Sequence, residues 1–354
     1  MSTPPDPRFG IWANVYGTWA AHQHPDDPVD ASWERNRNLI RQAEALGFDS
    51  TLIAQHTYNP MGEQLDQLEA WTAAAALAEA TERIEIITAI KPTLYHPVVF
   101  AKLALGIEEI SHGRLSINVV NAWFKPELER AGIPFVDHDE RYAYGQEWLE
   151  VVTRLFRGER VEHDGRFFSV HDYQLRPTGT YRPRPGIYLG GESIPARDLA
   201  ARSADVWFIN GQPPENVRAL IADASSRPRQ GPPLRFGLAA FVIARPTDEE
   251  AAQALAQAWR LSALDDPLLE KLYPDVDPKA EMFKTFAKYP AIGTNGGTSA
   301  GLVGSYDRVA ERVAEFSALG IETFMLQFQP FETEMARFAQ EVIPRVRRLA
   351  ALVR

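Results

Sequence analysis

Residues 113 to 123 read Gly-Arg-Leu-Ser-Ile-Asn-Val-Val-Asn-Ala-Trp. The alternation from Leu115 to Val120 predicts a short buried β-strand, and its polar ending predicts chemistry at the strand's carboxyl end. About fifteen residues later the chain reads His138-Asp139-Glu140-Arg141-Tyr142. If a helix begins there, His138 and Tyr142 lie four apart on one face. Both side chains would then reach one ligand over the strand end.

Seven further apolar runs of strand length alternate with stretches of helical period. The eight predicted strands are Phe9–Asn14, Ser50–Ala54, Ile84–Ile90, Leu115–Val120, Gly186–Leu189, Val206–Ile209, Phe236–Ala244 and Thr323–Gln327. The predicted helices are Trp33–Leu46, Leu65–Thr81, Pro97–Ile110, Glu140–Phe156, Ala196–Ser203, Glu215–Ser225, Asp248–Leu264, Asp307–Leu319 and Phe331–Arg348. This α/β pattern predicts a (β/α)8 TIM barrel that forms one domain over residues 1–354. The alternative is a doubly wound open sheet, but no Gly-x-Gly-x-x-Gly motif follows the first strand.

Two segments exceed what a bare barrel needs. Residues 163–176 alternate with period two around a glycine, which predicts an inserted hairpin at about 160–180. Residues from about 265 to 303 are rich in Pro, Gly, Asp and Thr. Such a composition predicts a long loop that is mobile enough to act as a lid.

The composition limits the classes of function. The 354 residues are 45% hydrophobic and 24% charged, and none is cysteine; this is ordinary for a soluble globular protein and excludes disulfides and thiolate chemistry. The N-terminus has no signal-peptide pattern and no apolar run approaches membrane length, so we expect a cytoplasmic protein without a membrane partner. The net charge of −10 argues against a nucleic acid partner.

A second motif, Gly190-Gly191-Glu192-Ser193, stands directly before a predicted helix. Two glycines between strand and helix let the backbone approach a ligand and direct free N–H groups at it, as in phosphate sites at helix N-termini. Ser193 can donate its hydroxyl or cap the helix. A tight turn with a serine cap is the alternative, but phosphate sites in barrels cluster at the loops of the later strands.

In this order, the motifs resemble those of bacterial-luciferase-like two-component monooxygenases. The resemblance covers nearly the whole chain and rests on Lys91–Pro97, Gly113–Val120, His138–Tyr142 and Gly190–Ser193. It implies FMN bound as FMNH2, O2 as co-substrate, a separate NAD(P)H:FMN reductase as partner, and a homodimer or homotetramer. Residue by residue, it implies flavin contacts for Thr93, Asn118, His138, Tyr142, Gly191, Glu192 and Ser193.

Glu192 departs from the family pattern, which usually has a small hydroxyl residue at this position. A carboxylate beside a phosphate is unfavourable at a helix N-terminus. We therefore expect the side chain of Glu192 to turn away and to offer only its backbone N–H.

Basic residues that this chain lacks indicate the class of its substrate. The alkanesulfonate monooxygenases, which are relatives, carry basic residues on the strand that corresponds to Phe236–Arg245, an Arg in the loop at Asn295, and a Tyr near Gln329. At the matching positions this chain has Ala239, Phe241, Asn295 and Gln329. A sulfonate needs charge-assisted donors. The sequence therefore predicts an uncharged substrate.

The dimethyl sulfone monooxygenases resemble the chain more closely, at Asn14-Val15, Asn118–Val120 with Trp123-Phe124, His138–Tyr142, Asn210-Gly211 and Ala240–Arg245. This resemblance implies oxygenation of a small organosulfur compound such as dimethyl sulfone, with C–S cleavage. The catalytic candidates are His56, Asn14 and Gln55, and the candidate pocket walls are Trp12, Trp19, Trp123 and Phe241. The loops at Tyr16–His24 and Gln55–Tyr58 match less well, so other substrates stay open.

Other functions remain as alternatives. The chain could oxidise an alkanesulfonate or another small molecule, reduce a substrate with F420 on the same barrel, or store flavin without catalysis. An F420 site would need a basic pocket, and storage is disfavoured by the polar strand ends at Asn14, Gln55, Asn118 and Asn121. A metal site is not expected, because His22, His24 and His56 lack a carboxylate at ligand spacing.

Overall fold

The computed structural model describes residues 6–18 and 20–353, and it contains a closed barrel of eight parallel strands. The strands in the described residues are β1 (Arg8–Trp12), β2 (Ser50–Ile53), β3 (Glu85–Ile90), β4 (Leu115–Val119), β5 (Val161–Asp164), β6 (Ser169–Tyr173), β7 (Gly186–Gly190), β8 (Val206–Ile209), β9 (Arg235–Phe241), β10 (Ile243–Arg245), β11 (Val303–Ser305) and β12 (Ile321–Gln327). The barrel order is β1-β2-β3-β4-β7-β8-β9-β12, and β12 pairs with β1. Each of the eight predicted strands contributes a strand to this barrel, so the predicted TIM barrel is confirmed.

Helices cover the outside of the barrel and build its insertions. They are α1 (Trp33–Leu46), α2 (Ala70–Ala80), α3 (Pro97–Ile110), α4 (Lys125–Glu129), α5 (His138–Phe156), α6 (Ile194–Ser203), α7 (Pro214–Ser226), α8 (Asp248–Ser262), α9 (Asp266–Leu272), α10 (Glu281–Lys288), α11 (Tyr306–Ala318), α12 (Phe331–Arg337) and α13 (Ile343–Val353). None of the helices described is both long and apolar enough to span a membrane.

Local sequence explains where the helices that border the site begin. Asp137 caps α5 by accepting a hydrogen bond from Asp139 N, and Ser193 caps α6 by accepting one from Ala196 N. Side-chain caps of this kind satisfy the free N–H groups of the first turn. Each helix therefore starts at the carboxyl end of the barrel with fixed geometry.

The predicted strand Phe236–Ala244 is two strands in the structure. β9 ends at Phe241, and β10 leaves the barrel to pair with β11. The backbone exchanges partners there, because Val242 N donates to Gln327 O at 3.0 Å and Ile243 N donates to Leu302 O at 3.0 Å. The hydrophobic pattern of the sequence does not indicate this change of partner strand, since the residues of β9 and β10 are almost all buried.

The two insertions are both present. β5 and β6 form an antiparallel pair between α5 and β7. The segment at about 265–303 differs from the predicted loop, because it contains α9 and α10. Its prolines and glycines stand at helix ends and in the stretch 290–301, which leaves both helices uninterrupted.

The interior of the barrel is closed at its amino end. Arg8 Nη2 donates to Glu85 Oε2 at 2.8 Å, and Tyr188 Oη donates to Glu85 Oε1 at 3.1 Å. Above them the rings of Tyr188 and Phe208 stack at 5.3 Å, in space left open by Gly237, where a Cβ atom would lie 2.5 Å from the Phe208 ring. Among the described residues, these side chains fill the interior of the barrel at its amino end.

Candidate active site

A cavity of about 330 Å³ lies at the carboxyl ends of the barrel strands. The floor is apolar and includes Leu52, Phe208 and Met325, and the far wall comes from the insertion that carries α9 and α10. Ten residues predicted from the sequence line the cavity: Trp12, Gln55, His56, Asn118, Trp123, His138, Tyr142, Gly191, Glu192 and Ser193. Active sites of TIM barrels occupy this end of the fold.

Three predicted site residues do not line the cavity. Phe241 packs with Ile243 and Ile292. Gly293 lines the cavity in front of Phe241, and a Cβ atom on Gly293 would lie 2.6 Å from the Phe241 ring. Thr93 lies in a single 3-10 turn, Pro92–Leu94. Asn14 is buried outside the lining. The predicted wall residue Trp19 lies outside the described residues.

The Gly190–Ser193 turn forms one end of the cavity. Gly191 has φ of 110°, and a Cβ atom there would lie 2.9 Å from Tyr142 Oη. Only glycine accommodates this conformation and this close approach without strain. The His138 and Tyr142 rings are 4.9 Å apart on the first turns of α5. The turn, the N-terminus of α6 and this aromatic pair therefore converge on one anion-accepting corner.

Glu192 is one of the residues that line the cavity, and its side chain is held by the loop after β8. Its Oε1 accepts hydrogen bonds from Asn210 N at 2.7 Å and Gln212 Nε2 at 3.2 Å. Burial raises the pKa of Glu192 to about 7, against the opposing effect of these donors. A protonated carboxyl avoids the repulsion that a phosphate would feel from a carboxylate.

A buried ion pair, Lys91 with Glu127, stands beside His56. Lys91 Nζ lies 2.5 Å from Glu127 Oε2, 2.5 Å from Gln55 O and 3.1 Å from His56 Nδ1. His56 Nδ1 is also 3.2 Å from Glu127 Oε2, and Thr57 N donates to Glu127 Oε1 at 2.7 Å. The pair therefore fixes one edge of the His56 ring.

Burial controls the charges in this cluster. Burial, followed by the positive charge of Lys91, lowers the pKa of His56 to about 4. Burial alone would raise the pKa of Glu127, but Lys91 and His56 outweigh it and bring that pKa to about 2. Burial lowers the pKa of Lys91, and Glu127 opposes that change. His56 is therefore neutral at physiological pH beside a compensated ion pair.

Two polar contacts connect the insertion to the rest of the barrel. His22 Nδ1 lies 3.2 Å from Asp265 Oδ2, which also accepts from His22 N at 2.8 Å. Arg141 on α5 pairs with Asp277, and its Nε donates to Asn121 O at 3.0 Å. With these contacts, the apolar side of α10 lies over the cavity. Phe283 is on this side, and its ring is 5.3 Å from that of Trp123.

The described lining residues include no arginine. The lysines in the wall are Lys91, paired with Glu127, and Lys279, paired with Asp137. Within residues 6–18 and 20–353, no group of three or more His, Asp or Glu side chains is arranged to hold a metal ion. The wall therefore offers a bound substrate little uncompensated positive charge.

Sequence reasoning missed Lys91 and Glu127. Lys91 directly follows the buried strand β3 and is itself buried. A lysine at the end of a buried run is a usable signal of a buried ion pair, because lysine is rarely buried without a partner. Glu127 carries no comparable local signal. Its pairing depends on how α4 returns toward β3, which the sequence pattern does not indicate.

Comparisons with known proteins identify the family of the chain. The family model of luciferase-like monooxygenases matches residues 15–323. An FMNH2-dependent dimethylsulfone monooxygenase of Pseudomonas putida is 32% identical over 90% of this chain and 90% of its own length. A protein of the same description from Pseudomonas fluorescens (strain Pf0-1) is 30% identical over 97% of this chain and 95% of its own length.

A solved structure supports the fold. The crystal structure of DmoA from Hyphomicrobium sulfonivorans aligns with a TM-score of 0.80 at 18% identity, over 97% of this chain and 88% of that chain. The family match covers most of the chain, and two relatives reach at least 30% identity over nearly all of it. The chain therefore belongs to the luciferase-like monooxygenase family, as its barrel and the motifs around its cavity indicate.

Proposed function

We propose that the protein is an FMNH2- and O2-dependent monooxygenase of a small uncharged organosulfur compound, with dimethyl sulfone as the first candidate. One observation carries the proposal: the Gly190–Ser193 turn opens into a cavity whose described lining has no arginine. The relatives described as FMNH2-dependent dimethylsulfone monooxygenases support the same activity. Reduced FMN would come from a separate flavin reductase, because the family members it resembles use one.

The residues of the cavity fit an FMN molecule. The buried Asn118 Oδ1 has no hydrogen-bond partner among the described residues, although it belongs to the cavity lining. Asn118 stands next to Gly190, at the start of the turn that would take the phosphate. An unpaired buried acceptor beside a phosphate turn suits a ligand with N–H or O–H groups, such as the flavin ring or its ribityl chain.

When bound, reduced FMN supplies the electrons with which one oxygen atom of O2 is inserted into the substrate and the other is reduced to water. The chain's own residues would bind and orient the two molecules and exclude water. The α10 side of the cavity and Trp123 supply apolar walls, and Gln55 and His56 supply neutral polar groups. For a sulfone, hydroxylation of a methyl carbon is followed by C–S cleavage, which releases formaldehyde and a sulfinate.

Flavin binding tests the proposal. In an anaerobic titration, FMNH2 should bind at least about tenfold more tightly than oxidised FMN, a difference of about 1.4 kcal/mol. The chain must capture reduced flavin from its partner and release the oxidised form. Riboflavin, which lacks the phosphate, should bind more weakly than FMN in the same redox state. Equal, tight binding of both redox states would contradict a two-component role.

Substitutions on α5 should weaken flavin binding. His138→Ala and Tyr142→Phe should each cost about 1–3 kcal/mol of FMNH2 affinity, because each leaves a polar flavin group unpaired. Tyr144→Phe is the matched control, since Tyr144 lies on the same helix but packs on Phe167 and Phe168. Unchanged affinity in both folded test variants would show that the flavin binds elsewhere.

A positive charge in the wall should change substrate preference. Ala239 lines the cavity and Phe241 does not, so Ala239→Arg alone should admit a sulfonate. We expect the ratio of kcat/KM for methanesulfonate over that for dimethyl sulfone to rise about 10- to 100-fold, the equivalent of one charge-assisted hydrogen bond. Ala239→Met, of similar length but uncharged, is the control. An equal ratio in the two variants would contradict the assignment of this wall position.

A further inference from the structure

Lys91 has as many hydrogen-bond acceptors around Nζ as it has protons to donate. The acceptors are Gln55 O and Glu127 Oε2, both at 2.5 Å, and His56 Nδ1 at 3.1 Å. An ammonium group has three donors and no acceptor. If each N–H is satisfied, His56 Nδ1 accepts from Lys91 and carries no proton of its own.

The competing arrangement of the His56 ring is less favourable. An Nδ1–H group could donate to Glu127 Oε2 at 3.2 Å, but it would face the Lys91 ammonium at 3.1 Å, donor against donor. It would also leave one buried N–H of Lys91 without an acceptor, which native proteins avoid. The neutral imidazole therefore carries its proton on Nε2.

Lys91 also orients Gln55. Its backbone N donates to Gln55 Oε1 at 2.7 Å. This contact identifies which end of the Gln55 amide is the oxygen, and the NH2 group is therefore the end that does not face the Lys91 backbone. Both Gln55 and His56 line the cavity. In the described part of the chain, neither Gln55 Nε2 nor His56 Nε2 makes a hydrogen bond to protein. The contacts of Lys91 thus leave two uncharged donors at the cavity, Gln55 Nε2 and His56 Nε2, without a hydrogen bond to the described residues.

We propose that Lys91 and Glu127 are positioning residues. The backbone N–H of Lys91 holds the Gln55 amide, and the Lys91–Glu127 pair holds the His56 ring. Gln55 Nε2 and His56 Nε2 are then the two neutral donors for the two acceptor oxygens of an uncharged, sulfone-type substrate. The substrate part of this inference rests on the proposed function. Sulfone oxygens carry no net charge, so neutral N–H donors match them, whereas a sulfonate would require a cation. Glu127 compensates the charge of Lys91 and keeps the site neutral.

The first test is the tautomer of His56 in the full-length protein without ligand. Nitrogen NMR of protein labelled at histidine, with His56→Gln to assign the signal, should show Nε2 protonated and Nδ1 unprotonated from about pH 6 to 8. An Nδ1–H tautomer or an imidazolium in this range would overturn the positioning role. This readout requires neither flavin nor substrate, so it is independent of the proposed function, and it is made on the unmodified protein, with the variant serving only to assign the signal.

The second test removes the ion pair without leaving a single buried charge. In Lys91→Met/Glu127→Leu, the His56 signal should show mixed tautomers, and kcat/KM for dimethyl sulfone should fall at least about tenfold. The FMNH2 dissociation constant should be unchanged. Unchanged kcat/KM would overturn the positioning role. A parallel loss of flavin affinity would assign the donors to the flavin and overturn the substrate part of the proposal.

The two tests together distinguish failure of the proposed function from failure of the positioning role. If the unmodified protein shows the Nε2–H tautomer but turns over no sulfone, the positioning role stands and both the substrate assignment and the proposed function fail. Arg130→Met, which removes an ion pair exposed at the surface, is the control for general effects of losing a charge pair. Its tautomer and kcat/KM should match those of the unmodified protein.

Discussion

Lys91→Met should lower the free energy of unfolding by about 3–5 kcal/mol, because it leaves the Glu127 carboxylate buried without its partner. The side chains of Lys91 and Glu127 are 3% and 0% exposed, so water cannot replace the lost contact. Denaturant unfolding monitored by circular dichroism measures the difference. A loss of this size is a large part of the stability of a typical domain.

Two further variants separate the cause. Lys91→Met/Glu127→Leu should recover most of the loss, since replacing a whole buried ion pair by apolar residues is often neutral. Arg130→Met breaks the Arg130–Glu63 pair, whose side chains are 62% and 74% exposed, and should cost less than about 1 kcal/mol. Equal costs for Lys91→Met and Arg130→Met would contradict the burial of the first pair.

Glu192→Gln should stabilise the protein at pH 8 and leave its stability nearly unchanged at pH 4. The folded-state pKa of Glu192 is about 7, above its ordinary value of 4.5, and this difference corresponds to about 3 kcal/mol. Because the folded state holds the proton more tightly, the carboxyl group reduces stability as the pH rises from 4.5 to 7. Glutamine keeps the acceptor for Asn210 N and cannot ionise.

The control for this effect has the opposite sign. Burial would raise the pKa of Glu147, but His163 and three backbone N–H groups outweigh it and lower that pKa. Glu147→Gln should therefore destabilise the protein at neutral pH, and the loss should shrink in acid. Unfolding curves of each variant and of the unmodified protein at the same pH remove the contributions of other groups. A pH-independent effect of Glu192→Gln would contradict its burial as a protonated acid.

The sequence predicted the barrel well because periodic burial is a local property. The predicted helices Trp33–Leu46 and Pro97–Ile110 match α1 and α3 at both ends, since a serine cap, a proline at the first position and apolar spacing mark them. The predicted helix Leu65–Thr81 begins instead at Ala70. Glu69 caps it there by accepting from Trp71 N and Thr72 N.

The site was harder to predict where it depends on contacts between distant segments. Lys91 and Glu127 are 36 positions apart, and only the folded chain brings them together. Phe241 has the same strand parity as Ala239, yet β9 ends at Phe241, and the turn through Gly293 lies between its ring and the cavity. The Glu192 side chain is held by Asn210 and Gln212, from the loop after β8, and the local sequence does not indicate these partners.

Oxygen consumption tests the central claim most directly. With photoreduced FMN, the purified protein should consume O2 in step with loss of dimethyl sulfone, and formaldehyde should appear, because a hydroxylated methyl group on a sulfone sulfur leaves as formaldehyde. Methanesulfonate and octanesulfonate should give only the background rate of flavin oxidation, since the described lining of the cavity has no arginine to pair with them. Efficient turnover of a sulfonate, with dimethyl sulfone inert, would contradict the account of the substrate.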